Sequence, residues 1–228
     1  MKTLQESLAR RLLKIGAIQT KEQSPGGLGF KLKLHEKDPT APLSPFYLNL
    51  RTPDNPKPGP LTDGVLYDIG ETLADVVVDS GYGWSLDFDF IAGIPNAGNP
   101  IARHLQGRWF PGKPLITLAK ETGPDGRRIA RVNPDPRLRP GMSVLLADDL
   151  VTHALTKLEA IQAIEAASLV VSGLVVLVDR LQGGVQELQE RGYRVMTAFT
   201  IKEVLDLYLE EGLIQDSTYA EIISYLGL

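Results

Sequence analysis

The chain of 228 residues contains no cysteine. That excludes disulfides, thiolate nucleophiles and Cys-ligated zinc or iron–sulfur sites, and it accords with a cytoplasmic location. No apolar run approaches the roughly 20 residues that span a bilayer, so no membrane attachment is expected. Positive charge is not in surplus either. With Lys+Arg 24 against Asp+Glu 28, the formal net charge is −4, and a general nucleic-acid-binding surface is not expected. The sequence shows no internal repeat and no low-complexity tract. Residues 1–16 lack the continuous apolar core of a secretory leader. Leu4, Leu8, Leu12 and Ile15 instead share one helical face, with Thr3 and Glu6 spaced as a capping box.

What is present is an alternation of apolar runs and helical periodicities. Residues 29–34 and 45–50 read as short strands joined by a polar, proline-containing connection, a hairpin-like flap. After a proline-rich turn at 53–60, Leu61, Val65, Ile69, Leu73 and Val76 recur at helical spacing up to Gly81. Strands are then expected at 88–94, 115–118, 144–147, 169–178 and 194–200. Helices are expected at 100–107, 156–167, 185–191 and 201–211, followed by a short amphipathic tail. This order predicts an α/β fold: a mainly parallel sheet with helices on both faces and right-handed crossovers. Residues 1–60 form an N-terminal helix with flap strands, and 61–228 a single core that includes the C-terminal helices.

The stretch from Val144 to Ala160, VLLADDLVTHALTKLEA, carries the strongest chemical signal. An apolar strand delivers Asp148 and Asp149 to a turn that opens into a helix, and ligands of parallel sheets bind at the carboxyl ends of strands. Thr156, ahead of Leu158, Ile161 and Ile164, is placed to start that helix, whose N-terminal amides suit a phosphate. Paired acids beside them suit ribose hydroxyls. Taken alone, the two aspartates are more often a solvated helix-capping turn. Likewise residues 92–102, AGIPNAGNPIA, place glycines between a strand end and a helix start, where an anion can meet backbone amides; connectors need the same residues for backbone reasons alone.

Together these segments resemble the type I phosphoribosyltransferases, and orotate phosphoribosyltransferases in particular. Val144–Ala160 resembles the phosphoribosyl pyrophosphate (PRPP) motif, with Thr152, His153, Ala154 and Thr156 at its phosphate loop; residues 92–102, with Asn96 and Ala97, match the pyrophosphate loop. Phe30-Lys31-Leu32-Lys33 and Ser44-Pro45-Phe46-Tyr47 are similar to the family's N-terminal signature, with a longer connection at 34–43. Val178-Asp179-Arg180-Leu181-Gln182-Gly183 matches its Asp-Arg-x-x-Gly segment. The resemblance implies a type I fold with a small N-terminal hood, and transfer of the 5-phosphoribosyl group from PRPP to orotate in UMP biosynthesis. It further implies Mg²⁺ carried mainly by PRPP and pyrophosphate, with no protein metal site, and a homodimer. Lys33, Phe46, Tyr47 and Arg180 are implied at the base, Asp148 and Asp149 at the ribose. In the family a loop between the strands at 115–118 and 144–147 closes over PRPP with a lysine and a histidine. Here Lys120 and Glu121 match its start, Gly123 and Asp125 occupy those two positions, and Arg127, Arg128 and Arg131 offer cations nearby. Two alternatives stay open: a phosphoribosyltransferase-like nucleotide-binding or regulatory protein without turnover, and a transferase for another base.

Overall fold

The computed structural model describes residues 1–32, 35, 38–80, 88–122 and 128–228. They divide into two compact units, one of Met1–Leu61 with Ile201–Leu228 and one of Thr62–Thr200. The expected core of 61–228 is therefore divided, because its last two helices cluster with the N-terminal segment.

In the first unit, α1 (Thr3–Lys14) buries Leu8, Ala9 and Leu12, the face set by the leucine spacing. Its cap differs from expectation. Thr3 is already helical, and the Gln5 side chain accepts the Lys2 amide at 2.7 Å. Glu6 in the first turn and Arg11 and Lys14 in the last complement the helix dipole. The C-terminal helices α6 (Ile201–Glu210) and α7 (Asp216–Leu226) belong to the same unit. The fully buried Tyr208 of α6 donates its hydroxyl to Ala9 O at 2.5 Å, which explains why α6 clusters with α1.

Among the described residues the expected flap shows one antiparallel bridge, Phe30 to Ser44. Its second strand pairs elsewhere: β2 (Phe46–Leu48) lies antiparallel to β1 (Ile18–Thr20), a strand too short to leave a periodic signal. Between the bridge residues, His35 Nδ1 accepts the Leu32 amide at 2.9 Å, leaving Nε2–H to donate to Ala41 O at 3.1 Å. This imidazole ties Leu32 to Ala41.

The second unit is built on a six-stranded sheet of order β5-β4-β3-β6-β7-β8. The strands are β3 (Phe90–Gly93), β4 (Leu115–Thr122), β5 (Arg128–Val132), β6 (Ser143–Val151), β7 (Val170–Asp179) and β8 (Val195–Thr200). All neighbours are parallel except β4 and β5. Phe90, Ala92, Val144, Leu146, Leu174 and Val176 pack with Ala160, Ile161 and Ile164 of α4 (Leu155–Ala166). The alternate residues Ile91, Leu145, Val175 and Leu177 are buried as well, on the face that carries α2 (Asp63–Asp79) and α3 (Gly98–His104). Burial on both faces is why these strands read as continuous apolar runs. After α3 the chain makes a π-helical turn, Leu105–Trp109, where a longer α-helix was expected. The last crossover uses α5 (Gly184–Glu190). Strand β5 was not anticipated. It turns the segment expected as a free loop into a ribbon, so that β4 extends to Thr122 rather than Leu118. Among the described residues no helix is long and apolar enough to cross a membrane.

Candidate active site

The strand order places the candidate site. From β3 the chain runs outward to β4 and β5, then returns to β6 on the other side of β3. Such a reversal opens a crevice beyond the carboxyl ends of the two central strands. Gly93 pairs with Ala147, and the Ile94 amide donates to Ala147 O at 2.9 Å, so residues 94–97 leave β3 beside Asp148. The Pro95–Asn96 peptide is cis, Asn96 is exposed and Ala97 half-buried. Two glycines let this turn press on its surroundings. A Cβ on Gly93 would collide with the backbone of Gly98 and Asn99. One on Gly98 would collide with Ala147 O and meet Asp148 Oδ1 at 3.0 Å. The glycines are thus demanded by close approach of backbones.

The acids lie on the strand itself rather than in a turn. Pairing with the long β7 carries β6 through Asp148 opposite Val176 and Leu150 opposite Val178. Asp148 is 4% exposed, and its Oδ2 is 2.7 Å from Lys157 Nζ. Its Oδ1 accepts the Asp149 amide at 3.0 Å. Asp149 keeps some solvent contact, and its Oδ1 accepts the Leu150 amide at 2.8 Å. Burial first, and the charge of Asp148 second, push the Asp149 carboxyl well above the usual aspartate range.

Beyond β6, Thr152 is half-buried and His153 exposed. Ala154 is fully buried in the right-handed helical region (φ −71, ψ −18), so this position asks for no glycine. It is Ala154, not Thr156, that caps α4; Thr156 sits half-buried in the first turn and Leu155 is 60% exposed. The loop rests on α5: a Cβ on Gly184 would meet Thr152 O at 2.6 Å and His153 C at 3.0 Å. The Gly184 amide donates to Thr152 O at 3.0 Å.

At the end of β7, the Arg180 amide donates to Val151 O at 3.0 Å, setting the Asp-Arg segment beside the acid strand. Both Asp179 and Arg180 are 8% exposed, which rules out a surface ion pair. Asp179 Oδ1 accepts the Leu181 amide at 2.8 Å, and burial raises its pKa. On the ribbon, Lys120 is half-buried opposite Ala130, and the backbone of Arg128 pairs with Thr122. Arg131, expected as a spare cation, is ion-paired with Glu121. Arg127, Gly123 and Asp125 lie outside the described residues, as does Lys33.

In the first unit the two expected aromatics separate. Phe46 is 0% exposed and packs edge-on against Tyr225, so its side chain belongs to the core and not to a ligand surface. Tyr47 points the other way, stacked on Phe30 at 5.4 Å, and its hydroxyl accepts from Arg51 Nη1 at 2.9 Å. The alternation Phe46, Tyr47, Leu48 carried that information. Lys157 was missed altogether. Its signal was a lysine in the first turn of a helix, where acids are favoured, nine residues after Asp148.

No protein-family model matches the chain. It is 30% identical over 187 residues to an orotate phosphoribosyltransferase of Sulfurisphaera tokodaii, covering 81% of this chain and 85% of that one. To a uridine 5'-monophosphate synthase of Caenorhabditis elegans it is 26% identical, over 99% of this chain and 40% of the longer protein. Among solved structures, it superposes on Leishmania donovani UMP synthase with a TM-score of 0.72 at 26% identity, covering 97% of this chain and 42% of that one. Orotate phosphoribosyltransferase from Aeropyrum pernix gives 0.63 at 23% identity, covering 91% and 99%, a likeness of fold.

Proposed function

The chain belongs to the orotate phosphoribosyltransferase family, and we propose that it transfers the 5-phosphoribosyl group from PRPP to orotate, giving orotidine 5'-monophosphate and pyrophosphate in UMP biosynthesis. The observation that carries this reading is the contact of the glycine-rich turn after β3 with the acids of β6 at the reversal of strand order. A ribose held by acids, flanked by amides at a strand end and at a helix start, is what a sugar bearing a phosphate at one end and a diphosphate at the other requires.

In the reaction the ring nitrogen of orotate forms a bond to C1 of the ribose and gives up its proton to the departing pyrophosphate or to solvent, while the C1–oxygen bond to pyrophosphate breaks with its electron pair. Positive charge grows on the ribose, so catalysis rests on holding the leaving group's charge and excluding water. Asp148 and Asp149 hold the ribose hydroxyls. Asn96 and Ala97 present backbone to the pyrophosphate, and Thr152, His153, Ala154 and Thr156 receive the 5'-phosphate. Lys33, Tyr47 and Arg180 are assigned to orotate; a guanidinium offers fork geometry to its carboxylate. Lys120, with Arg127 and Arg128, is assigned to the leaving pyrophosphate.

Mg²⁺ would be carried to the site mainly by the PRPP and pyrophosphate oxygens, as suits a hard ion with few protein ligands, next to Asp148 and Asp149. When bound, the ion supplies charge neutralisation on pyrophosphate. The proposed assembly is a cytoplasmic homodimer, checked by light scattering of the purified chain.

Incubation with PRPP, Mg²⁺ and orotate, followed by loss of orotate absorbance, tests the reading. Turnover that falls at least about 100-fold in Arg180→Ala supports it; turnover with uracil but not orotate reassigns the base. A second reading, a PRPP-binding protein without turnover, is favoured by Gly123 and Asp125 at the family's loop lysine and histidine positions. It predicts PRPP binding with orotate left unconsumed.

A further inference from the structure

Lys157 is out of place on two counts. It occupies the third position of α4, where the positive end of the helix dipole disfavours a cation, and it is 6% exposed. Both penalties are offset by where its ammonium goes. Nζ reaches back past the phosphate loop to Asp148 Oδ2 at 2.7 Å and to Leu150 O at 2.6 Å. With Oδ1 already on the Asp149 amide, the Asp148 carboxylate is fixed at both oxygens. The same side chain thus ties the first turn of α4 to the end of β6, spanning the loop at residues 151–154 from both sides.

We propose that Lys157 is a positioning residue for PRPP, a brace that sets the distance between the acid pair and the phosphate loop so that ribose and 5'-phosphate are gripped as one rigid unit. The inference rests on the function proposed above. Lys157 touches neither substrate in this arrangement; it acts through Asp148 and through the backbone of Leu150. Its effect is therefore confined to PRPP. A purely structural lysine would instead lower the amount of folded protein and leave the affinity of the folded fraction intact.

The test uses the full chain, with calorimetric titration of Mg²⁺–PRPP and steady-state kinetics on wild type, Lys157→Met and Lys157→Arg. Lys157→Met is expected to weaken PRPP binding about ten-fold or more, leaving the orotate KM at saturating PRPP within about two-fold. Lys157→Arg keeps the cation and guards against misfolding of the methionine variant. Its planar group cannot reproduce both contacts, so about three- to ten-fold weaker PRPP binding is expected, again with orotate unaffected. Folded variants that bind PRPP within two-fold of wild type overturn the brace alone, as does an equal loss for both substrates. A wild-type chain that binds no PRPP overturns the brace together with the proposed function.

Discussion

Replacing Gly98 by alanine probes the junction on which the site depends. The added Cβ would collide with Ala147 O and meet Asp148 Oδ1 at 3.0 Å and Asp148 Cα at 3.2 Å. The colliding atom, Ala147 O, is main chain of a central strand and cannot swing away. To regain ordinary contact the start of α3 must retreat from β6 by roughly 0.5–1 Å. Overpacking of this kind costs about 1–3 kcal/mol, which in a chain of this length lowers Tm by about 2–12 °C. The same retreat opens the gap between the turn after β3 and the acids, and a misplacement near 1 Å costs up to about 100-fold in rate. Gly98→Ala is therefore expected to melt lower and to lose about 10- to 100-fold in kcat/KM for PRPP. Gly107→Ala is the control, because a Cβ there meets nothing within 4 Å. Differential scanning fluorimetry and PRPP titration read both quantities. A Gly98→Ala chain with the melting temperature and PRPP dependence of wild type would refute the close-approach argument.

Three further outcomes are expected. The Asp149 pKa is raised from the ordinary 3.8 to about 8, so the folded state binds more protons than the unfolded between those values, and its stability falls as pH rises through that window. Asp149→Asn should accordingly match wild-type stability near pH 4 and exceed it at pH 8 in urea titrations, by a fraction of what full burial would give, while PRPP binding weakens; equal stability at both pH values would contradict the shift. Tyr208→Phe leaves Ala9 O without its buried donor and should cost about 1–3 kcal/mol in the same titration, against no change if the hydroxyl is dispensable. Phe46→Ala should destabilise by about 3–5 kcal/mol, whereas Tyr47→Ala should leave stability within about 1 kcal/mol and raise the orotate KM; the reverse pattern would exchange their roles.

What was legible in the sequence was what is contiguous. Residues 144–160 hold strand, acids, connecting loop and helix start in one run, and 92–102 hold the strand end and helix start of the neighbouring turn, so each was readable as a local pattern. Strand and helix order followed from the apolar runs because both faces of the sheet are covered. What failed were pairings between distant short segments. A three-residue strand such as β1 has no periodicity to read, and its choice of β2 over the segment around Phe30 is a tertiary decision. The same applies to β5, whose partner β4 is recognisable only once the ribbon exists. Helix ends also moved by a residue or two, since Ala154 caps α4 through backbone geometry alone and not through a side-chain oxygen.

The acid pair shows how a local pattern can find the residues and miss their mechanics. Two adjacent aspartates in a solvated turn would be interchangeable and freely ionised. Extending β6 by four residues beyond Ala147 removes that symmetry, because pairing with β7 draws Asp148 into the interior while Asp149 keeps access to solvent. A buried carboxylate then demands a cation, and the first turn of α4 supplies it. Lys157 at the third position follows from that demand. The consequence is a division between the acids: Asp148 is held rigid by protein, and Asp149, with its proton retained more readily, is the one whose ionisation responds to what enters the crevice. A substrate that brings hydroxyl donors to Asp149 favours its charged form, so PRPP binding should release protons, which calorimetry in buffers of different ionisation enthalpy measures directly. Proton release absent from wild type near pH 7, with PRPP bound, would show that Asp149 is already ionised and that the division between the two acids is not electrostatic.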